Sequence, residues 1–422
     1  MTIKNQFLNF FESKGHKKYP SMSLLPNDSS IMFTNSGMVQ FKDIFIGNKP
    51  IPDIPRVTSS QTCLRVGGKH NDLDNVGYTS RHHTLFEMLG NFSFNDYFKE
   101  DVIQYSWEFI TDKKYLNLPI DKLWVTIHES DDESQKIWEK YISPDRILRF
   151  GDKDNFWQMG NTGPCGPCSE IFYDQGEENF NSDEDKMGGE GDRFLEIWNL
   201  VFMQYFRDEE GKLTPLDKPC IDTGMGLERV VAIKEGKLNN FDTSLFSPQI
   251  KILEDISGKK YEENLPEFRV IVDHMRSIVS LLNEKVVFSN NNEGYVLKKL
   301  LRRSSLRGVF LDIENPFLSE LVDITSKQLE INLYDVQKIK DIIYNEEIKF
   351  RKVLKSGMKM FNKEMSNKSD IFSGEVCFKL SDTYGFPLDL TSDLLLETNK
   401  KLDIDEYHRL LNIQKENSKN NN

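Results

Sequence analysis

The sequence predicts an α+β protein, in which an antiparallel sheet flanked by helices precedes a mainly helical second half. In the first half, the predicted strands follow one another through hairpins and loops with few helices between them, which favours antiparallel pairing over a βαβ repeat. From about residue 238 onward, apolar residues recur with the spacing of helices instead. This change of period predicts two domains, residues 1–237 and residues 238–422.

The first half contains an opening helix and clear strand patterns. Apolar residues within 7–11 suit the buried side of a short helix, and residues 122–128 alternate apolar and polar side chains like a half-buried strand. Residues 194–207 and 212–216 predict two strands joined by a turn at 208–211. Because no phosphate-binding P-loop and no GxGxxG after a strand occurs, the parallel-sheet nucleotide-binding folds lose support.

The second half contains two pronounced helical patterns. Residues 335–365 place large apolar side chains near one face of a long helix. Residues 294–311 place leucines on one half of the helix and basic residues on the other half. The polar tail, residues 414–422, is predicted to fray.

The charge is unevenly divided along the chain. The total is −13 over 422 residues, of which residues 1–240 carry −11 and residues 241–422 carry −2. An acidic total does not exclude nucleic acid as a partner, because phosphate contacts need a local basic face and not a basic sum. The basic half of the 294–311 helix is a candidate for such a face, with a solvated helix surface as the alternative.

The location of the protein follows from three features of the sequence. No apolar run approaches the roughly 18 residues that cross a bilayer, and the first residues do not resemble a secretory signal. Five scattered cysteines are too few for a disulfide framework and favour a reducing compartment. We therefore expect a cytoplasmic protein. Cys165 and Cys168 have CxxC spacing without a second ligand pair nearby, so a structural turn is favoured over a zinc site.

One basic and aromatic stretch, residues 62–94, is typical of a site for a polyanion. A guanidinium offers a planar fork to phosphate oxygens, and an ammonium offers a mobile point charge. An adjacent aromatic ring would suit a nucleotide base. The candidate groups are Arg65, Lys69, His70, Arg81 and His83, with Phe86 beside them. The alternative is a surface loop with ordinary ion pairs.

A second stretch, residues 222–229, combines an acid, two glycines and an arginine. Gly224 and Gly226 allow the backbone to approach a ligand closely, and Arg229 follows at the predicted start of a helix, where anions bind favourably. Asp222 would then lie beside the same pocket as an acceptor for a substrate ammonium. The alternative is a strand-to-helix turn with a structural ion pair.

Four segments of this sequence resemble alanyl-tRNA synthetases, a family of class II aminoacyl-tRNA synthetases. They are Gly-Gly-Lys-His-Asn-Asp at 67–72, His-His-Thr through Phe-Ser-Phe at 82–94, Gly-Pro-Cys-Gly-Pro-Cys at 163–168, and Asp-Thr-Gly-Met-Gly-Leu-Glu-Arg at 222–229. They match the family in order and spacing, and the resemblance extends to about residue 415. It implies a class II antiparallel core for adenylation, followed by a helical domain that recognises the tRNA acceptor stem.

The resemblance implies a two-step reaction that uses ATP and Mg²⁺. Alanine and ATP give alanyl-adenylate and pyrophosphate, and the alanyl group then moves to the terminal adenosine of alanine tRNA. By the matching positions, Arg65, Lys69 and Arg229 would be catalytic, with Arg65 on the α-phosphate and Phe86 and Arg229 on either side of adenine. The expected ATP-binding residues are Arg65, Lys69, His83, Phe86, Trp157, Ile197, Trp198, Asn199, Gly226 and Arg229. The ligands of Mg²⁺ are not assigned.

The resemblance also implies a pocket sized for alanine. Asp222 and Asn199 would hold the ammonium, while Val201, Trp157 and Met38 would limit the side-chain space to a methyl group, beside Gly224. One methyl group is worth only about 1–3 kcal/mol, so glycine and serine should enter as well, and an editing step is expected. The seven histidines include no pair four residues apart, so we expect the family's zinc-containing editing domain to lie outside these residues.

The second domain would bind the acceptor stem of the tRNA. By resemblance, Asn290 and Asp382 would read its G·U wobble pair, and the basic helix would contact phosphates. The expected tRNA-binding residues are Asn290, Lys298, Lys299, Arg302, Arg303 and Asp382. The sequence departs from the family pattern at Phe288, at Asn291 and Asn292, and at Lys298 and Lys299.

Three functions remain open on the sequence. The first is an alanine–tRNA ligase, either as a fragment or as a naturally short enzyme, acting as a monomer. The second is a paralogue that adenylates alanine without charging tRNA. The third is a binding module without catalysis, against which the presence of Arg65, Asp222 and Arg229 counts.

Overall fold

A computed structural model describes residues 2–28, 30–67, 70–396 and 398–420 of the chain. Contacts within the chain divide it into two compact units, Met1–Ser247 and Pro248–Asn422. The first unit is built on a sheet and the second is mainly helical, so the predicted α+β class and the change of period are confirmed.

The first unit contains a large, mostly antiparallel sheet. Its strands pair in the order β1-β2-β5-β11-β10-β9-β6-β7, with β8 alongside β9. Only β1 with β2 and β6 with β7 pair in parallel among the described strands of this sheet. The strands are β1 (Lys17–Tyr19), β2 (Arg56–Leu64), β3 (Val66–Gly67), β4 (His70–Asn71), β5 (Leu85–Phe94), β6 (Leu123–His128), β7 (Ile147–Phe150), β8 (Phe156–Gln158), β9 (Gly163–Asp174), β10 (Phe194–Arg207) and β11 (Leu213–Gly226). β3 and β4 form a separate two-stranded ribbon.

Helices cover one face of this sheet with an aromatic core. The helices of the unit are α1 (Ile3–Ser13), α2 (Lys42–Phe45), α3 (Lys99–Thr111), α4 (Asp132–Trp138), α5 (Asp152–Asn155) and α6 (Leu227–Lys234). The predicted opening helix is confirmed as α1, which begins where the Thr2 hydroxyl accepts from the amide of Asn5. Its Phe7 packs edge-on against Phe109 of α3 and also contacts Trp198 of β10. The opposite face of the sheet is therefore left for other contacts.

The second unit consists of helices and one short parallel strand pair. Its helices are α7 (Ser247–Ser257), α8 (Leu265–Asn283), α9 (Asn292–Phe310), α10 (Val322–Gln328), α11 (Val336–Met365), α12 (Gly374–Tyr384), α13 (Leu388–Leu396) and α14 (Ile404–Asn420), and the strands are β12 (Ile371–Phe372) and β13 (Lys401–Leu402). α11 confirms the long helix predicted at 335–365, and it starts where the Asp335 carboxylate accepts from the amide of Lys338 at 2.9 Å. α9 confirms the helix predicted at 294–311.

Three local predictions differ from the structure. The strand predicted at 212–216 continues to Gly226, because β11 pairs with β10 and β5 on its two sides. Cys165 and Cys168 lie within β9 and not in a turn, since the main chain of the segment pairs with β10. The tail predicted to fray continues the helix α14 to Asn420. No helix among the described residues is long and apolar enough to span a membrane.

Candidate active site

The candidate site is a cavity in the first unit, on the sheet face opposite the aromatic core. Side chains from β5, β8, β9, β10, β11 and α6 line it, together with residues near the end of β2. Among the residues predicted from the sequence, Arg65, His83, Phe86, Trp157, Ile197, Asn199, Val201, Asp222, Gly224, Gly226 and Arg229 line this cavity. The segments 62–94 and 222–229, which are far apart in the sequence, therefore meet at this cavity.

The register of β10 and β11 explains this convergence. Asn199 lies opposite Gly224, and Val201 lies opposite Asp222. Since successive side chains of a strand point to opposite faces, Asn199 and Val201 share the cavity face. A side chain at residue 224 would lie 2.8 Å from Sδ of Met88, so glycine keeps this part of the strand open.

The sequence predicts that Trp198 contacts the nucleotide. In the structure, β10 places its side chain on the other face of the sheet. Trp198 directly precedes Asn199, so the same alternation points its ring to the opposite face. The ring is fully buried and packs against Phe7 and Phe109. The expectation for the Trp198 side chain was therefore wrong, because spacing in sequence does not show which face of the sheet is the core.

Arg65 and Phe86 form a preassembled pair at one wall. Arg65 follows β2, and its Nε donates to the carbonyl oxygen of Asn35 at 3.1 Å. Its guanidinium carbon lies 5.0 Å from the centroid of the Phe86 ring, which is within the range of a cation–π contact. Register explains the proximity, because Leu64 and Leu85, the residues next to this pair, are partners in β2 and β5.

Arg229 provides the second guanidinium. It lies in the first turn of α6, and its Nη1 donates to the main-chain oxygen of Glu196 at 2.8 Å and lies 3.5 Å from the carboxylate. Arg81 also lines the cavity and pairs with Asp192. Burial, reinforced by Arg229, lowers the pKa of Arg81. Burial together with Arg229 and Arg81 lowers the pKa of His82 to about 3, so this imidazole is neutral at pH 7. Arg65, Arg81 and Arg229 are thus three guanidinium groups that an anion in the cavity could contact.

The cavity lining also contains an acidic residue, Asp222. The side chain is buried, and burial raises its pKa to about 7. No ion pair with Asp222 is present among the described residues. Asn199 donates from Nδ2 to Glu170 at 2.9 Å, while its buried Oδ1 has no hydrogen-bond partner in the described part of the chain. Two oxygen acceptors without a donor are the arrangement that a buried ammonium would satisfy.

Glu170 and Glu196 are site residues that the sequence reasoning missed. Both line the cavity, and Glu170 lies opposite Asn199 in the register of β9 and β10. Burial and the neighbouring Glu196 raise the pKa of Glu170 well above its ordinary value. The signal that could have identified Glu170 is its place in a buried strand, where an acidic residue is rare without a partner.

Two of the predicted substrate-binding residues do not line the main cavity, and a third is not among the described residues. Met38 is buried and lines a neighbouring cavity, which shares Arg65 and Trp157 with the main one. Trp198 belongs to the core, as described above. Lys69 lies outside the described residues.

His83 reaches the cavity but is engaged by other groups. Its ring stacks on Phe246 with centroids 5.0 Å apart, and Nδ2 of Asn240 lies 3.0 Å from its Nε2. Both contacts orient the imidazole. No group of three His, Cys, Asp or Glu side chains that could hold a metal ion occurs within the residues described.

In the second unit, the predicted basic face of α9 is partly interior. Arg303 is buried, and its Nη1 donates to the Asp393 carboxylate at 2.9 Å. Arg307, part of the same predicted face, is also buried and lies 3.5 Å from Glu267. The expectation that Arg303 contacts phosphate from an exposed face was therefore wrong. A helical wheel separates charged from apolar residues but does not show that a neighbouring helix supplies the countercharge.

The other predicted tRNA contacts are more accessible. Lys298 donates to the side-chain oxygen of the exposed Asn290 at 3.0 Å and lies 3.9 Å from Glu346. Arg302 is half-buried over the ring of Phe350, and burial lowers its pKa. Lys299 is half-buried. Asp382 is exposed on α12 and accepts from Gln414.

Comparison with known proteins gives consistent matches along the whole chain. A family model described as "tRNA synthetases class II (A)" matches residues 2–422. The chain is 60% identical to an alanine–tRNA ligase of Sulfurovum sp. over 100% of its own length and 50% of that relative. It is 57% identical to an alanine–tRNA ligase of Aliarcobacter butzleri (98% and 49% covered) and 54% identical to one of Wolinella succinogenes (99% and 49%). The chain spans about half the length of the curated relatives it matches.

Proposed function

Because the chain belongs to the class II (A) tRNA synthetase family, we propose that it activates L-alanine with ATP and transfers the alanyl group to alanine tRNA. The observation that carries this proposal is that one cavity is lined both by Asp222, which is buried without an ion pair among the described residues, and by three arginines. An amino acid needs an acceptor for its ammonium, and a nucleotide triphosphate needs cations for its phosphates. The names of the relatives support alanine as the amino acid.

Alanine recognition rests on Asp222 and Asn199. The carboxylate of Asp222 and the free Oδ1 of Asn199 accept from the alanine ammonium, which satisfies both buried acceptors. Val201, which lies opposite Asp222 in the sheet, and Trp157 border the space for the methyl group, with Gly224 leaving the cavity open. Met38 belongs to the same apolar cluster as Val201, and it limits that space without lining the cavity itself.

ATP binding rests on the arginines that line the cavity. Arg65 contacts the α-phosphate, and Lys69 and His83 lie near the phosphates. Phe86 and Arg229 enclose the adenine, with Ile197 and Gly226 along the nucleotide. The contact between Arg65 and Phe86 supports this arrangement because it holds the guanidinium in place before the phosphates arrive, so little reorganisation is needed.

The first step joins two anions. One oxygen of the alanine carboxylate attacks the α-phosphorus, the bond to the β-phosphate breaks, and pyrophosphate leaves. Arg65 offsets the charge that accumulates on the α-phosphate, which is the main demand of phosphoryl and nucleotidyl transfer. In the second step, a hydroxyl of the terminal adenosine of the tRNA attacks the carbonyl carbon, and AMP leaves.

Mg²⁺ supplies further charge neutralisation on the phosphates when it is bound. Mg²⁺ commonly keeps several waters and uses one or two carboxylates together with substrate phosphates. This fits a cavity in which no cluster of three candidate ligands occurs among the described residues. Among the carboxylates that line the cavity, Glu196 could complete such a shell, whereas both carboxylate oxygens of Glu228 accept from the amide of Glu87.

We assign adenylation to residues 1–237 and recognition of the acceptor stem to residues 238–422. Asn290 and Asp382, both exposed, are proposed to read the G·U pair with short polar side chains. Lys298, Lys299 and Arg302 are proposed to contribute positive charge nearby, whereas Arg303 supports the helix from inside. A methyl-sized pocket discriminates against glycine by only about 1–3 kcal/mol, so removal of mischarged products is expected elsewhere.

Pyrophosphate exchange and tRNA charging test this function separately. Alanine-dependent exchange of pyrophosphate into ATP is expected without tRNA, and charging is expected with alanine tRNA. Replacement of the G·U pair by G·C should slow charging far more than exchange, and Asn290→Ala or Asp382→Ala should reduce that selectivity. Absence of exchange in a folded sample would contradict the proposal, and exchange without charging would point to an adenylating paralogue.

A further inference from the structure

A positive patch outside the cavity lies on α11. Residues 348–363 contain six basic residues and no acidic residue, in a chain whose net charge is −13. Four of the six, Lys352, Lys355, Lys359 and Lys363, are exposed and are called the lysine row below. The two others are paired within the helix, Lys349 with Glu346 at 3.4 Å and Arg351 with Glu347 at 2.9 Å.

The lysine row is a straight, unneutralised line of charge. Its members are three, four and four residues apart, so they follow one face of the helix and span about 16 Å at 1.5 Å per residue. The opposite face is buried through Phe350, Leu354 and Phe361. No ion pair or hydrogen bond with another side chain involves the lysine row within the described residues. Like charges at this spacing repel one another, and a bound polyanion would relieve that repulsion.

The lysine row also borders an open groove. Ser356 and Met360 of α11 and Tyr384 at the end of α12 complete its lining. Tyr384 lies two residues after Asp382, the proposed reader of the G·U pair, on the same short helix. The groove therefore connects the lysine row to the element proposed to contact the acceptor stem.

The lysine row is more available to phosphate than the basic residues of α9. The α9 arginines Arg303 and Arg307 have acidic partners, and Lys298 lies near Glu346. A cation that already has a buried partner gains little from a phosphate, whereas an exposed and unpaired ammonium releases condensed counterions when it binds one.

We propose that the lysine row binds the ribose-phosphate backbone of duplex RNA and so positions the acceptor stem without reading its sequence. Lysine acts as a point charge and does not distinguish base edges, which fits a positioning role. A membrane surface is a poorer match, since a membrane-binding helix needs an exposed apolar face and that face of α11 is buried. The inference rests on the proposed function for the identity of the RNA, but not for the binding of duplex RNA itself.

The test compares two variants with equal loss of charge in the full chain. The row variant carries K352Q, K355Q, K359Q and K363Q. The control variant carries K251Q, K260Q, K285Q and K327Q, which are exposed lysines on other elements of the same unit. Binding is measured over a series of salt concentrations to alanine tRNA, to its G·C-swapped form and to a short RNA hairpin. Thermal unfolding of both variants verifies that they fold.

The expected result is a selective and sequence-independent loss. The row variant should bind all three RNAs at least about tenfold more weakly at low salt, by similar factors. The slope of log affinity against log salt should fall by about one for each lysine that contacts a phosphate. The control variant should bind within about twofold of the parent, because losing the same charge elsewhere changes only the weaker long-range attraction to RNA.

Several results would overturn the inference. These are an unchanged affinity and salt slope in the row variant, an equal loss in the control, or a loss confined to the G·U form. Failure of alanine-dependent pyrophosphate exchange in the parent would instead remove the proposed function. The hairpin measurement would still decide whether the lysine row binds duplex RNA.

Discussion

Asp222 is a carboxyl group that the fold buries on the cavity face of β11 without a cation beside it in the described residues. Burial of an unpaired charge is costly, and the pKa rises because the neutral form is favoured. Such a cost is retained where a ligand supplies the missing charge. The same side chain therefore links the stability of the protein to its affinity for alanine.

Substitution of Asp222 by Asn tests this link. We expect Asp222→Asn to raise the alanine concentration required for pyrophosphate exchange by about ten- to a hundredfold, since a hydrogen bond to a charged group contributes about 1.5–3 kcal/mol. The affinity for ATP should change by less than about twofold. Asp121→Asn, on the exposed surface of the same unit, is the matched control and should leave both values unchanged. Equal loss of alanine and ATP binding would contradict the assigned role.

The pH dependence of the same group gives a second readout. A pKa raised from 3.8 to about 7 means that the free energy of unfolding falls as pH rises through this window, because the folded protein holds the proton more tightly. Alanine binding follows the opposite trend, since its ammonium requires the carboxylate. Affinity should therefore fall about tenfold per pH unit below 7 and level off above 7, and Asp222→Asn should abolish this dependence. An alanine affinity of the parent protein that does not change with pH would contradict this prediction.

At the scale of elements, α9 shows how a basic helix can serve the fold. Arg303 of α9 and Asp393 of α13 form a buried ion pair that joins the two helices. A pair of this kind costs desolvation on both sides, so its net contribution is small while both partners are present. Removal of one partner is different, because the buried charge that remains loses this countercharge.

Substitution of Arg303 by Met should therefore affect folding. We expect Arg303→Met to lower the free energy of unfolding of the second unit by about 3–5 kcal/mol. Lys299→Met on the same helix is the control, and it should cost less than about 1 kcal/mol because the lysine is only half-buried. Chemical denaturation monitored by circular dichroism measures both. If the Arg303→Met protein were stable but bound RNA more weakly, Arg303 would instead be a phosphate contact.

At the scale of the molecule, the two units have separate hydrophobic clusters. One cluster contains Phe109 and surrounds α1 and the covered face of the sheet. Another contains Phe361 and Phe386 and joins α11 to α12 and α13. The candidate active-site cavity is lined by residues of the first unit. Damage to one cluster should therefore have a different functional signature from damage to the other.

A pair of matched core substitutions tests that separation. Phe361→Ala and Phe109→Ala each remove a buried ring and should each cost about 3–5 kcal/mol in the affected unit. At a temperature where that unit has unfolded, Phe361→Ala should retain alanine-dependent pyrophosphate exchange and lose tRNA charging. Phe109→Ala should lose both activities. Simultaneous loss of both activities in the two variants would show that the units unfold as one.

The local elements were largely predictable because hydrophobic period is a property of neighbouring residues. The strands β6 and β10 and the helices α1, α9 and α11 follow directly from it. Period alone did not predict the length of β11, whose continuation to Gly226 depends on pairing with β5 as well as β10. It also missed Glu170, whose contact with Asn199 across the sheet is visible only in the structure.

The sequence by itself determined the fold class, the family and the chemical types at the site, because motif order and spacing are preserved along the chain. Only the tertiary structure decided that Trp198 belongs to the core, that Arg303 is neutralised by Asp393, and that the lysine row has no acidic partner within the part of the chain that the structure describes. The physical reason is that burial and charge pairing depend on which distant residues meet. A strand or a helix specifies two faces, but its neighbours in space decide which face meets water.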